Sequence, residues 1–215
     1  MRLPRAIARP FPARQKILVA GVGAWFLAVA AGTVVLLGYE NAPGASPAPP
    51  ALWPGDSRIA RATDLPTLVM FAHPRCPCTR ASLGELAVLL AHCRGRVTPY
   101  VVLVKPDGLP GDWAQTDLRR SALSIPGVQV LCDDGGVEAR RFHAATSGQT
   151  LLYGADGRLL FRGGITASRG HSGDNSGRSA ITALVNGQAA ARVESFVFGC
   201  SLAGEAWEAT RQCPK

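Results

Sequence analysis

TLVMFAHPRCPCTRASLGELAVLLAHC, residues Thr67–Cys93, decides how the rest of the chain is read. Its opening, TLVMFAH at Thr67–His73, is a short apolar run that ends in polar residues and a proline, which predicts a buried strand. From Thr79 to Cys93, Leu83, Leu86, Leu89 and Leu90 recur at helical spacing, and Arg94 and Gly95 end the pattern. Between strand and helix stands Cys76-Pro77-Cys78. A thiolate at that junction meets unpaired backbone N–H groups and the positive end of the helix dipole, and Arg75 and Arg80 stand beside it in sequence. Those surroundings lower a thiol pKa, and the thiolate is the attacking species in disulfide exchange. Cys76 and Cys78 are therefore the candidate catalytic thiols.

Downstream, Val97–Lys105 is a second strand, Trp113–Ser121 a short helix and Val128–Cys132 a third strand. This β-α-β-α-β order implies parallel strands covered on both faces, with a site at their carboxyl ends. Thr150–Tyr153 and Leu159–Arg162, joined by the turn Gly154–Gly157, form an antiparallel hairpin. A helix over Ser176–Val185 completes an α/β fold of three layers around a mixed sheet, spanning residues 59–187.

Upstream, Ile17–Gly38 contains 22 residues without a charge, the length a helix needs to cross a bilayer. Arg2, Arg5, Arg9, Arg14 and Lys16 precede it with no acid, so residues 1–16 stay cytoplasmic and the body is exported, which places the chain in the cell inner membrane. A cleaved signal peptide is the competing reading, although its apolar core would be about 7–15 residues. Residues 39–58 read as a Pro/Ala-rich linker: Asn41–Asp56 holds five prolines and cannot bury enough apolar surface to hold a fold. Its Trp53 rests on either the bilayer or the domain. The net charge of +8 falls to +5 beyond residue 56, where the 18 basic residues are scattered in runs no longer than a pair. Nucleic acid is not a partner on that distribution.

The element order with a cysteine pair after the first strand resembles the thioredoxin superfamily, especially its membrane-anchored TlpA-like members. Met70–Leu86 (MFAHPRCPCTRASLGEL), Val130–Ala144 (VLCDDGGVEARRFHA) and Leu151–Gly164 (LLYGADGRLLFRGG) carry the likeness. HPRCPCTRASLGEL together with RGHSGDNSGR is also similar to the RedB-like group. The resemblance covers about residues 60–187 and implies a thioredoxin-like fold and thiol–disulfide oxidoreductase activity, with Cys76, five residues after Phe71 as in thioredoxin-like WCxxC sites, as the nucleophile and Cys78 as the resolving thiol. It also implies no cofactor, a cysteine-containing client protein and a thiol electron donor or acceptor. Two departures stand out. The spacing is C-x-C, so an internal disulfide closes a smaller ring and carries strain that raises its reduction potential. Where thioredoxins carry a cis-proline, this chain has Ser147-Gly148-Gln149.

Six cysteines allow 15 pairings, so structural stapling of Cys76 and Cys78 is the bland alternative. A helix of about 20 Å carries Cys93 away from the strand ends, which excludes a bond to Cys132. Cys132 is either a third thiol at the site or a buried apolar residue. Cys200 and Cys213 lie in the extension 188–215, where they either clamp the tail locally or let it fold back to bring Cys200 to the site. His73 and His171 could join Cys76 and Cys78 as soft ligands for copper, a Sco-like metallochaperone reading without enzymatic activity. His92 and His143 read as surface positions. His171–Arg178 (HSGDNSGR) lacks the lysine of a phosphate loop and supplies Asp174 or Asn175 as a helix cap. A peroxide-reducing reading ranks last, because the PxxxTxxC motif is missing.

Overall fold

The computed structural model describes residues 12–93 and 95–202. Helix α1 (Ala13–Glu40, 28 residues) extends the apolar run at both ends and is long and apolar enough to cross a membrane. The described residues divide into two compact units at Tyr39/Glu40.

The second unit is built on strand β1 (Thr67–Ala72), buried along its whole length, as an apolar run without alternation requires. Helix α2 (Pro77–Cys93) follows, then β2 (Thr98–Lys105), α3 (Asp117–Leu123), β3 (Gln129–Asp134), α4 (Val137–Arg141), β4 (Gln149–Tyr153), β5 (Leu159–Gly163) and α5 (Ser176–Val185). The sheet order is β3-β2-β1-β4-β5. The β1–β2 and β2–β3 pairs are parallel, and β1–β4 and β4–β5 are antiparallel. Side chains of β1 alternate between two cores. Leu68, Met70 and Ala72 pack with Leu83, Leu86 and Leu89 of α2 and Ile181 of α5, while Val69 and Phe71 pack with Phe142, Leu151 and Tyr153.

Three local expectations change. Helix α3 starts at Asp117, not Trp113, because Thr116 in extended conformation caps it by accepting from the Arg119 N–H at 3.3 Å. Helix α4 was not expected. It is a five-residue turn entered through Gly135 and Gly136, both with positive φ, and its first N–H groups, of Glu138 and Ala139, each donate to the buried Asp133 carboxylate at 2.9 Å.

The third change concerns the proline-rich stretch, which lies along the domain. Gly44 N–H donates to Val197 O at 2.8 Å, Thr146 Oγ1 to Ala45 O at 2.7 Å, Tyr153 Oη to Pro50 O at 3.0 Å and Leu159 N–H to Ala51 O at 2.9 Å. Trp53 rests on the domain, edge-on to Phe142 and Tyr153 with ring centroids 5.0 and 5.2 Å apart. Segments poor in apolar surface dock here by lending carbonyls and N–H groups to an existing edge, which hydropathy does not register.

Candidate active site

Cys76 sits where β1 has ended and α2 begins, and the fold buries it to 1% exposure. Its backbone is fixed by Cys76 N–H to His73 O at 3.1 Å and Thr79 N–H to Cys76 O at 3.0 Å. The thiol and backbone N–H of Cys200 and the backbone N–H and hydroxyl of Thr79 stand beside the sulfur. The thiol is held down to about 5. The Cys200 thiol contributes most, burial opposes it, and the Cys200 N–H and Thr79 add to the lowering. Cys78, half-buried in the first turn of α2, is pushed up by burial, by the Cys76 charge and by its own hydrogen bond to Cys76. Cys200 is pushed up beyond the ordinary thiol range, first because its proton is engaged by Cys76 and then by burial.

The expected arginine effect is absent from this balance. Arg75 lays its guanidinium over Trp113, 5.0 Å from the ring centroid, and Arg80 pairs with Asp117. The cation that acts on Cys78 and Cys200 is Arg169, which also donates to Gly199 O. Hydrogen bonds at the sulfur, rather than the neighbouring positive charges in sequence, hold the thiolate.

Behind the sulfur lies a small buried polar group that the sequence did not single out. Ser147 Oγ accepts from His73 N–H at 2.9 Å and is 2.8 Å from Thr79 Oγ1, which donates to His73 O at 3.2 Å. Ser147 stands in the loop before β4, where no cis peptide occurs among the described residues. Its position is set by Gly148, whose N–H donates to Phe71 O at 2.8 Å with φ +90°. Thus the loop replaces a proline with a serine hydroxyl that ties it to both ends of the Cys76 turn. A cleft of about 320 Å³ lined by Pro74, Arg75, Cys76, Pro77, Arg80 and Asp117 opens beside this turn.

The remaining candidates divide. His73 is buried. Its Nδ1 accepts from Arg75 N–H at 3.1 Å and its ring meets Trp113 edge-on, while burial lowers its pKa below the ordinary imidazole value. His171 is exposed in the loop before α5. Among the described residues no three His, Cys, Asp or Glu side chains stand together as a metal-binding group. Cys132 is exposed on edge strand β3, its thiol 3.8 Å from Asp134 Oδ1, and burial and that carboxylate both raise it. Cys93 is a free, fully buried thiol at the other end of α2. Cys213 lies outside the described residues. His92 and His143 are exposed, each ring bonded to a carbonyl, of Val88 and Ala48 respectively.

The loop His171–Arg178 serves α5. Asn175 caps the helix by accepting from Arg178 N–H at 2.8 Å, and Asp174 pairs with Arg178 at 2.7 Å. The anchor is Glu85 of α2, 3% exposed, which accepts from Gly173 N–H at 2.7 Å and Asn175 Nδ2 at 3.2 Å and pairs with Arg178.

A parallel β1–β2 pair, an antiparallel β4–β5 hairpin against β1, and a helix that starts at a cysteine directly after β1 together decide the architecture. The chain has a thioredoxin-like fold. Its N-terminal helix adds one candidate membrane span. No protein-family model matches the chain, and no curated protein matches it. Among solved structures it is similar to an uncharacterized conserved protein from Geobacillus kaustophilus, at 22% identity and TM-score 0.56, covering 77% of this chain and 93% of that one. It is also similar to a hypothetical protein from Sinorhizobium meliloti, at 16% identity and TM-score 0.58, covering 74% and 96%. A secreted disulfide oxidoreductase from Mycobacterium tuberculosis homologous to Escherichia coli DsbE aligns over 45% of this chain and 66% of that one, at 23% identity. Its TM-score of 0.37 is too low to carry an argument. The first two likenesses show a shared fold alone.

Proposed function

We propose that this chain is a thiol–disulfide oxidoreductase, anchored by α1 with its amino terminus in the cytoplasm and its thioredoxin-like domain outside the inner membrane. One observation carries the chemistry: Cys76, at the start of α2, is surrounded by donors that hold it at about 5, so it is ionised at neutral pH. Its thiolate attacks one sulfur of a client disulfide, the client S–S bond breaks, and one client cysteine leaves as thiolate. A second thiol then attacks Cys76 Sγ, releases the other client cysteine and leaves the chain oxidised. An external thiol donor returns the two electrons. Cys78 is the resolving thiol offered by sequence. Run in reverse, the same steps oxidise a client dithiol.

The test uses the full chain in detergent, reduced, with insulin as the model disulfide. Replacing Cys76 by Ser should abolish insulin reduction. Activity that survives in Cys76→Ser would refute the assignment. If neither Cys76→Ser nor Cys78→Ser alters exchange while both abolish Cu(I) uptake, the copper-handling reading takes its place. Reporter fusions after Gly38 and at the carboxyl terminus check the orientation, and activity confined to the cytoplasm would overturn it.

A further inference from the structure

The nucleophile of the proposed cycle is covered. At 1% exposure the Cys76 residue offers a client disulfide little line of attack, and the segment Val197–Leu202 is bonded to the loop beside it. That segment runs antiparallel to the loop Ala145–Ser147. Ser147 N–H donates to Cys200 O and Leu202 N–H to Ala145 O, each at 2.8 Å, and Thr146 bridges to Ser201. Val197, Phe198 and Leu202 are buried beneath it. Gly199 permits the approach, since a Cβ there would overlap the Ser147 carbonyl oxygen. The tail is therefore held as an added strand by main-chain bonds, with a cysteine presented to Cys76. An extended peptide that adds to a free edge binds in the same way.

We propose that Cys200 is the resolving thiol and that residues 197–202 are a resident mimic of the client strand, so the disulfide formed during turnover is Cys76–Cys200. This rests on the oxidoreductase reading. The tail lifts, a cysteine-bearing client segment pairs with Ala145–Ser147 in its place, and Cys76 forms the mixed disulfide. Cys200 then returns as thiolate and attacks Cys76 Sγ. The Cys76–client bond breaks, the client leaves as thiolate, and the tail re-forms its pairing with Ser147. Release of the client is thereby tied to refilling the groove. Cys78 is the poorer partner. Although its thiol lies beside Cys76, a Cys76–Cys78 bond would close a small ring across Pro77 and distort the first turn of α2, whereas Cys200 arrives from a separate segment free of that ring constraint.

The full chain in detergent, reduced and then treated with oxidised glutathione, is digested with trypsin without reduction. The expected product links the Cys76–Arg80 peptide to the Val193–Arg211 peptide. The link should persist in Cys78→Ser and vanish in Cys76→Ser. Recovery of a Cys76–Cys78 bond with Cys200 free, or of Cys200 joined to Cys213, would overturn the proposal and leave the oxidoreductase reading standing. Insulin reduction that survives in Cys76→Ser would instead sink that reading. Gly199→Ala supplies the second arm. It should displace the tail, speed iodoacetamide labelling of reduced Cys76 at least several-fold and lower the yield of the linked peptides. Unchanged labelling would show that the tail does not cover the site.

Discussion

Replacing Cys200 by Ala should raise the Cys76 pKa by an amount that follows from the site. The Cys200 thiol is the largest single cause of the lowering to about 5, and its removal leaves the Cys200 N–H and Thr79 in place. A hydrogen bond to a charged group contributes roughly 1.5–3 kcal/mol, and 1.36 kcal/mol corresponds to one pKa unit, so the rise should be about 1–2 units. Cys76 would then titrate near 6–7, on the order of the values seen where fewer donors remain. Cys200→Ser keeps an O–H donor and should move the midpoint much less. The assay is the pH dependence of iodoacetamide labelling of Cys76, followed by mass spectrometry in a Cys78→Ser background. The midpoint, not the rate, is read, because a loosened tail also speeds labelling. A midpoint unchanged in Cys200→Ala, or raised equally by Ala and Ser, would refute the claim that the donated thiol proton holds the thiolate.

Because the folded pKa of Cys76 is depressed, its ionisation stabilises the reduced fold at high pH and that contribution is lost as pH falls through about 5. The Tm difference between the reduced chain and Cys76→Ser should therefore widen between about pH 5 and 8.5, and a constant difference would contradict it. Arg178→Met leaves the buried Glu85 charge without its ion-pair partner and should cost about 3–5 kcal/mol in urea unfolding, nearer the lower end because Gly173 and Asn175 still donate. Adding Glu85→Leu should recover part of that loss, and a double variant no more stable than Arg178→Met would argue against the pair. Asp133→Ala removes both acceptors at the start of α4 and should cost about 1–2 kcal/mol, with Asp133→Asn recovering part; an equal loss from Asn would show that packing, not capping, is involved.

The sheet and its two main helices were legible because each is set by local pattern. The leucines of α2 carry a helical period, β1 is a run of six buried residues, and Asn175 precedes α5 as a cap. Helix α4 was not legible because five residues behind two glycines hold too little periodicity to register, and it is specified by Asp133 from the preceding strand. The arginines at Arg75 and Arg80 misled because adjacency in sequence does not say where a long side chain goes; Trp113 and Asp117 claim them. At the site, Cys76 is marked by its place between strand and helix. Ser147 and the pairing of Cys200 with it are not, since they join segments about fifty residues apart through main-chain bonds that any residue can make.

The docked proline-rich stretch and the docked tail also decide where the gene can be cut. The repeating strand-and-helix pattern ends at residue 187 and starts near 59, so a soluble fragment trimmed to it looks natural. Such a fragment would strip Trp53 from Phe142 and Tyr153, open the groove at Ser147 and discard the strongest donor to Cys76. It would keep a thioredoxin-like core and report the reactivity of an ordinary exposed thiol. A faithful soluble version begins before Gly44 and runs past Leu202, and a purification handle belongs at its amino end, away from the strand that closes the site.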